Sequence, residues 1–307
     1  MFVAMIGVPG SLDVERAMGI DIHAFNFIML QAKKDRLGSV LTIGRQSLSL
    51  NKEFVEGRLG TRVDSANGYC EPVLMALNAS NVASIDYSDY ESATYVADLN
   101  FPVRIESEFD TVIDSGSLEH VFDTTSAFNN CIRFCKVGGR LIHILPVNNL
   151  NGHGFWQFSS DLMYSIYSEK NGFCDTEVYY ASGLDFSTWY KVPQANPGKR
   201  VEIVSLEPVI LLSVSRKASK VDSISAVQPF YLKAWRDGEA SSVQANQNRG
   251  GINAFLKNFI KKRGLLVNFG RNLFLIFGLA SGLSRFSIKN SHFKRVSVEE
   301  VIRGPLR

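Results

Sequence analysis

The chain has 307 residues, 45% of them hydrophobic and 21% charged, with a formal net charge of +3. Such a composition excludes a disordered polymer and allows one large domain, or a domain with an extension. So small a net charge gives no electrostatic footprint for nucleic acid, which is not expected as a partner.

The opening "MFVAMIGVPGSLDVERAMG" has a short apolar run and no basic flank, so no signal peptide is expected and the chain reads as cytoplasmic. "HAFNFIMLQAKKDRLG" predicts a helix with Phe25, Ile28, Met29 and Ala32 on one side, within an N-terminal helical segment over 1–37. "SVLTIG" reads as a short buried strand, and "NKEFVEGRLG" and "ANGYCEPVLMALNAS" as helices. "NVASIDYSDYE" leads a strand into Asp86, and "ATYVADLN" a shorter one into Asp98.

"FDTVIDSGSLEHVFD" begins as a buried strand and turns polar at Asp114. The next helix, "DTTSAFNNCIRFCKVGG", is expected to start on Asp123 or Thr124 and to end at Gly138-Gly139. "RLIHILP" reads as a strand stopped by Pro146, and "VEIVSLEPVILLSVSRK" as two strands meeting at Glu207-Pro208. Strands alternating with helices predict an α/β fold, a mostly parallel sheet covered on both faces, over residues 38–217. The four cysteines, Cys70, Cys131, Cys135 and Cys174, are expected to be reduced. The spacing of Cys131 and Cys135 matches no zinc pattern, and no ligand spacing supports a site built from His and Asp, so no metal site is expected.

Residues 218–307 read as a linker and a basic C-terminal extension. From Ala240 to Val298 there is no Asp or Glu, while Lys257, Lys261, Lys262, Arg263 and Arg271 are interleaved with Phe, Leu and Ile. Arg271 and two asparagines argue against a spanning helix. A basic amphipathic helix around Ile252–Leu283, lying on an anionic membrane surface, fits the pattern. A helix packed on the domain, or an oligomer contact, fits it as well.

The segments "SIDYSDYESATYVADLN", "FDTVIDSGSLEHVFD", "CKVGGRLIHILP" and "NNLNGHGFWQFSSDLMYSIYSEKNGF" follow one another in an order that resembles the class I S-adenosylmethionine-dependent methyltransferases. The likeness is nearest to a bacterial branch whose members sit among surface-polysaccharide biosynthesis genes. It implies a Rossmann-like sheet with an antiparallel end strand, S-adenosylmethionine as cofactor, and a sugar or lipid-linked saccharide as acceptor.

Carboxylate geometry suits Asp86 to a ribose diol. By resemblance, Asp98 with the Leu99 backbone meets the adenine amine. The glycine-rich loop that such folds place after the first strand is reduced here to Gly44 in "LTIGRQSL". That glycine lies farther from Asp86 than the about 20 residues usual in a nucleotide-binding βαβ unit. Asn67, Gly68 and Tyr69 in "RVDSANGYCEP" lie nearer, so an insertion after the first strand is expected, with these residues at a helix start beside the cofactor.

Asp114, Ser115 and Gly116 would then border the methionine moiety, with Glu119 and His120 on the acceptor side. His120 and His153 are the candidate general bases, and Glu119 orients His120 or binds a cofactor amine. Phe155, Trp156 and Phe158, with Asn148, Asn149 and Asn151, are candidates for an acceptor pocket. A non-catalytic protein of the same fold, serving as a binding or scaffold subunit in polysaccharide assembly, is the alternative. A nicotinamide enzyme is disfavoured, because no G-x-G-x-x-G follows the first strand.

Overall fold

The computed structural model describes residues 19–64, 67–221, 224–236 and 264–303. The part of the expected amphipathic stretch from 252 to 263 lies outside them.

Short apolar runs set the centre of the fold. β1 (Gly38–Ile43), β2 (Ala79–Asp86), β4 (Phe109–Ser115) and β5 (Cys135–Asn148) pair in parallel, with the two-residue β3 (Tyr95–Val96) beside β2. Beyond β5 the sheet turns antiparallel through β8 (Val209–Lys217), β6 (Phe173–Ser182) and β7 (Asp185–Val192). The full order is β3-β2-β1-β4-β5-β8-β6-β7-β9, with β9 at Lys294–Ser297. Its 3-2-1-4-5 portion, followed by an antiparallel strand inserted beside β5, is the Rossmann-like arrangement expected of class I methyltransferases. The β6–β7 hairpin is an addition that the sequence reading did not include.

Helices cover both faces. α1 (Ile22–Lys34) is capped by the Asp21 side chain, and its residues 23–32 are all buried, so no solvent face remains. α2 (Lys52–Leu59) and α3 (Glu71–Ala76) follow β1, and α4 (Thr124–Phe134) starts on Asp123, whose carboxylate accepts from Ser126 N. Two hydrophobic clusters result. Phe128, Leu141 and Tyr180 lie in one, and Phe25, Ile142 and Trp189 in the other.

Several expected boundaries move. α4 ends at Phe134 and β5 begins at once, so Gly138-Gly139 does not end the helix. Instead a Cβ on Gly139 would lie 2.8 Å from Asp110 O, and the glycine lets β5 approach β4 at a register shift. Pro146 does not stop its strand: it pairs with Ile210 next to another register shift, and its carbonyl accepts from Phe158 N at 2.7 Å. Only the second half of the expected 201–217 hairpin is a strand. Val201–Ser205 is irregular, and Val204 N bonds Phe286 O.

The C-terminal region beyond Lys217 does not stay apart from the sheet. α5 (Ser160–Ile166) precedes this region, which contains α6 (Pro229–Arg236), α7 (Gly264–Ser281), β9 and α8 (Val298–Ile302) in chain order. β9 pairs antiparallel with β7, and α8 packs on α1, with Val298 and Ile302 buried. Lys33 Nζ donates to Ile302 O, and Arg58 pairs with Glu299. Among the described residues no helix is long and apolar enough to cross a membrane.

Candidate active site

Two cavities open at the carboxyl ends of the parallel strands, where open α/β sheets place their ligands. One has about 620 Å³ and is bordered by Gly44, Asp86, Asp98, Leu99, Ser115, Gly116 and His120. The other, about 590 Å³, is bordered by Asp21, His23, Phe54, Glu119, His153 and Phe186. Gly19, Ser115 and Gly116 line both, so the two spaces meet at the end of β4.

In the first cavity Asp86 ends β2. Its Oδ2 accepts from Arg45 N at 3.1 Å and its Oδ1 from Tyr87 N at 2.7 Å, which fixes the carboxylate and leaves lone pairs on both oxygens. Asp98 accepts from Asn100 N at 2.9 Å, forming a turn that carries Leu99 into the cavity wall. Gly44 has φ +73°, and a Cβ there would lie 2.7 Å from Ser117 Oγ. Only glycine fits this turn without strain.

The loop after Gly44 supplies side chains that the sequence reading missed. Arg45 reaches back to Glu71 and the Glu91 carbonyl and lies over the Tyr69 ring, 4.0 Å from its centroid. Gln46 is buried: its Nε2 donates to Ile43 O and Ser117 Oγ, while its Oε1 has no hydrogen-bond partner. Burial and the neighbouring Asp86 push the Glu91 carboxyl up. The position of Arg45 to Ser47, directly after a buried parallel strand, was the signal that could have found them.

Asn67, Gly68 and Tyr69 do not border either cavity. They clip onto the outer side of the β1 loop, where Leu48 N donates to Gly68 O and Ser47 pairs with Tyr69. Of the two expected glycine segments, Gly44 borders a cavity and Asn67–Tyr69 does not, while the Tyr69 ring lies against the cavity-lining Arg45. The spacing to Asp86 points to Gly68 only where a single helix joins the first two strands, and here both α2 and α3 intervene.

Asp114 also differs from expectation. It is fully buried outside both cavities. Its Oδ1 accepts from Ser117 N and Leu118 N, and its Oδ2 contacts His143 Nδ1 at 3.0 Å. His143 Nε2 in turn meets Tyr167 OH at 2.5 Å. Burial holds the Tyr167 phenol well above its ordinary pKa, so it stays protonated. Asp114 is thus a clamp on the turn after β4, not a wall of the cavity. Ser115 Oγ donates to Gly19 O at 2.9 Å, tying the segment before α1 across the strand ends.

That turn, a 3-10 helix over Leu118–His120, brings Glu119 to His153, which follows β5. Glu119 Oε1 lies 3.6 Å from His153 Nε2. Burial pushes the Glu119 carboxyl up, and its contact with Glu119 raises His153. Burial and the nearby His153 lower His120, which favours the neutral imidazole. His120 and His153 face one another with ring centroids 5.5 Å apart.

The aromatic and asparagine candidates fare unequally. Phe158 is core, packed edge-on against Phe128, and Phe155 is exposed. Trp156 forms a shallow outer groove with Phe101 and Phe122. Asn148 and Asn149 bond the Ser205–Glu207 loop rather than an open space. In the second cavity the missed residues are Asp21, His23, Phe54 and Phe186. His23 Nε2 donates to Ser182 O and Nδ1 accepts from Trp189 Nε1, which fixes its neutral tautomer. Only tertiary contact unites these four, and no local signal marks them.

The first cavity's donor set fits S-adenosylmethionine. A fixed acid stands at the end of β2, an Asp-Leu turn follows β3, two positive-φ glycines give backbone access, and the orphaned Gln46 oxygen can accept from an ammonium.

No protein-family model matches the chain, and no curated protein matches it. Solved structures that resemble it include the N-methyltransferase NodS from Bradyrhizobium japonicum, with 13% identity over 63% of this chain and 94% of that one, at a TM-score of 0.36. A TehB-like SAM-dependent methyltransferase from Corynebacterium glutamicum has 15% identity over 63% and 87%, with a TM-score of 0.33. YcgJ from Bacillus subtilis has 11% identity over 63% and 97%, with a TM-score of 0.35. Likenesses this distant carry no argument about activity, and the strand order and the two cavities are what bear on it.

Proposed function

We propose that the protein is an S-adenosylmethionine-dependent methyltransferase acting on a hydroxyl of a sugar or polysaccharide intermediate. The observation that carries this reading is one cavity at the parallel strand ends bordered by Gly44, Asp86, Asp98, Leu99 and Gly116 together. When bound, S-adenosylmethionine supplies an electrophilic methyl group on a sulfonium. Asp86 holds the ribose hydroxyls, the Asp98–Leu99 turn meets the adenine, and Gly116 (φ +80°) leaves room beside the second cavity. His120, held neutral, takes the acceptor's proton on an imidazole nitrogen, and the Glu119–His153 pair orients the hydroxyl.

The polysaccharide acceptor is supported by the mixed lining of the second cavity. The rings of Phe54 and Phe186 stand there beside Asp21, Asn51 and His153, a combination suited to stacking and hydrogen bonding of a sugar. A membrane-confined, lipid-linked acceptor is supported by α7, where Leu273, Phe274, Leu275, Ile276 and Phe277 are all exposed. Flotation with anionic vesicles, weakened by salt and lost in Phe274→Ser/Phe277→Ser, is expected; equal flotation of the variant removes the membrane from the proposal.

Calorimetric titration with S-adenosylmethionine and S-adenosylhomocysteine tests the main reading. Both should bind, and Asp86→Ala should weaken each by about 1.5–3 kcal/mol, the range for a charged hydrogen bond. Absence of binding to either rejects it. With an identified acceptor, His120→Asn should lower turnover by about 10²–10⁴-fold at unchanged cofactor affinity. Binding without turnover on any acceptor favours the scaffold alternative.

A further inference from the structure

Glu119, His120 and His153 are not spaced as metal ligands in the sequence, yet the fold brings one ligand-capable atom of each to within 4.8 Å of the others. The 3.6 Å between Glu119 Oε1 and His153 Nε2 is near the about 3.3 Å that separates two ligands of a tetrahedral ion bound at about 2.0–2.1 Å. The imidazoles lie with centroids 5.5 Å apart and are inclined at 58°, so they do not stack. Glu119 is 1% exposed, and its second oxygen, Oε2, is buried without a hydrogen-bond partner. A buried carboxylate oxygen left idle is costly, and a cation is the partner that would satisfy it.

The frame around these groups is rigid. Phe155 N and Trp156 N both donate to Glu119 O, at 2.8 and 3.2 Å. A Cβ on Gly154 would lie 2.7 Å from Glu119 Cγ, so the His153 loop sits directly against the carboxylate. From below, the Asp114 carboxylate holds the N–H groups of Ser117 and Leu118.

We propose that Glu119, His120 and His153 form a binding site for one divalent transition-metal ion. Two imidazoles and a carboxylate select zinc, cobalt, manganese or iron(II) over magnesium and calcium, which prefer an all-oxygen shell. Three protein ligands would leave a position open, and the cluster stands between the two cavities, His120 bordering one and Glu119 and His153 the other. Metal binding stands on this geometry alone. Its catalytic consequence rests on the methyl-transfer reading: a hydroxyl acceptor taking the open position would release its proton to water more easily, and His120 would then serve as a ligand instead of as the base.

The test uses the full-length protein, stripped with chelator and titrated with Zn²⁺ and Co²⁺ without S-adenosylmethionine. One equivalent of Zn²⁺ should bind, and Co²⁺ should give visible absorption bands of a four- or five-coordinate site. His153→Asn and Glu119→Gln should each weaken Zn²⁺ binding at least tenfold, whereas His292→Ala should leave it unchanged. Failure of the folded wild-type protein to bind either ion overturns the proposal, even if a variant is too unstable to measure. So does undiminished binding by folded His153→Asn. Because no cofactor is present, a negative result here is separable from a failure to bind S-adenosylmethionine.

Discussion

Asn130 offers a direct test of how the Asp98–Leu99 wall of the first cavity is held. It is fully buried on α4, and its Nδ2 donates to Leu99 O at 3.1 Å and Phe101 O at 2.8 Å. Its Oδ1 accepts from Val103 N at 2.8 Å and from the Arg133 guanidinium. One amide thus fastens the chain that follows Asp98 to the helix behind it. Asn130→Ala withdraws all of these contacts. The carbonyl of the buried Leu99 loses its partner at a cost of about 1–3 kcal/mol, while Phe101 and Val103, nearer solvent, cost about 0.5 kcal/mol each. The expected destabilisation is therefore about 2–4 kcal/mol. Urea denaturation followed by circular dichroism should show a lower midpoint at an unchanged m-value. Weaker S-adenosylmethionine binding should accompany it, because Leu99 borders the cavity. A loss below about 0.5 kcal/mol, less than one ordinary hydrogen bond, would refute the argument that Asn130 holds this segment.

Gly44→Ala forces a side chain into a left-handed turn at about 1–2 kcal/mol and toward Ser117 Oγ, so calorimetry should find cofactor affinity reduced at least tenfold; unchanged affinity would take the turn out of the site. Burial lowers the pKa of His23, although Asp21 and Asp185 pull the other way. The unfolded chain, titrating near about 6.5, then binds the proton more readily, so stability is fully present above that pH and falls as pH drops through the folded value. Thermal melts between pH 5 and 8 should show this slope, and His23→Gln should flatten it. Thiol labelling of native protein should modify Cys174 alone, and faster at high pH, since burial and Asp175 raise its pKa. Cys70, Cys131 and Cys135, the last pushed up to about 12 by burial, should react only after unfolding.

The centre of the sheet was legible because β1, β2 and β4 are short apolar runs that end in polar residues. Asp86 and Asp98 could be found for the same reason, each standing where an apolar run stops. Asp123 was legible as a cap because its chemistry is local. What escaped was decided by contact between distant segments. Pro146 reads as a strand end until β8 pairs beside it, and Gly138-Gly139 as a helix end until β4 approaches. The β6–β7 hairpin mixes apolar and polar residues that become a core only when β8 and β9 flank it. Asp114 looks like a cavity residue by position, and only its contacts with His143 and Leu118 turn it into a clamp. Glu119 and His153 were each singled out, but their meeting depends on two loops closing together.

The pairing of β9 with β7 has a consequence for biosynthesis. At about 5–20 residues per second, the ribosome makes β9 roughly 5–20 s after it completes β7. Throughout that interval the growing sheet ends in an unpaired β7, whose free N–H and C=O groups can template pairing with another nascent chain. α1, made first, likewise waits for α8 to cover its flank. Crowded synthesis or a stalled ribosome should therefore harm this protein more than its finished stability implies, and a holdase that covers β7 should raise the soluble yield.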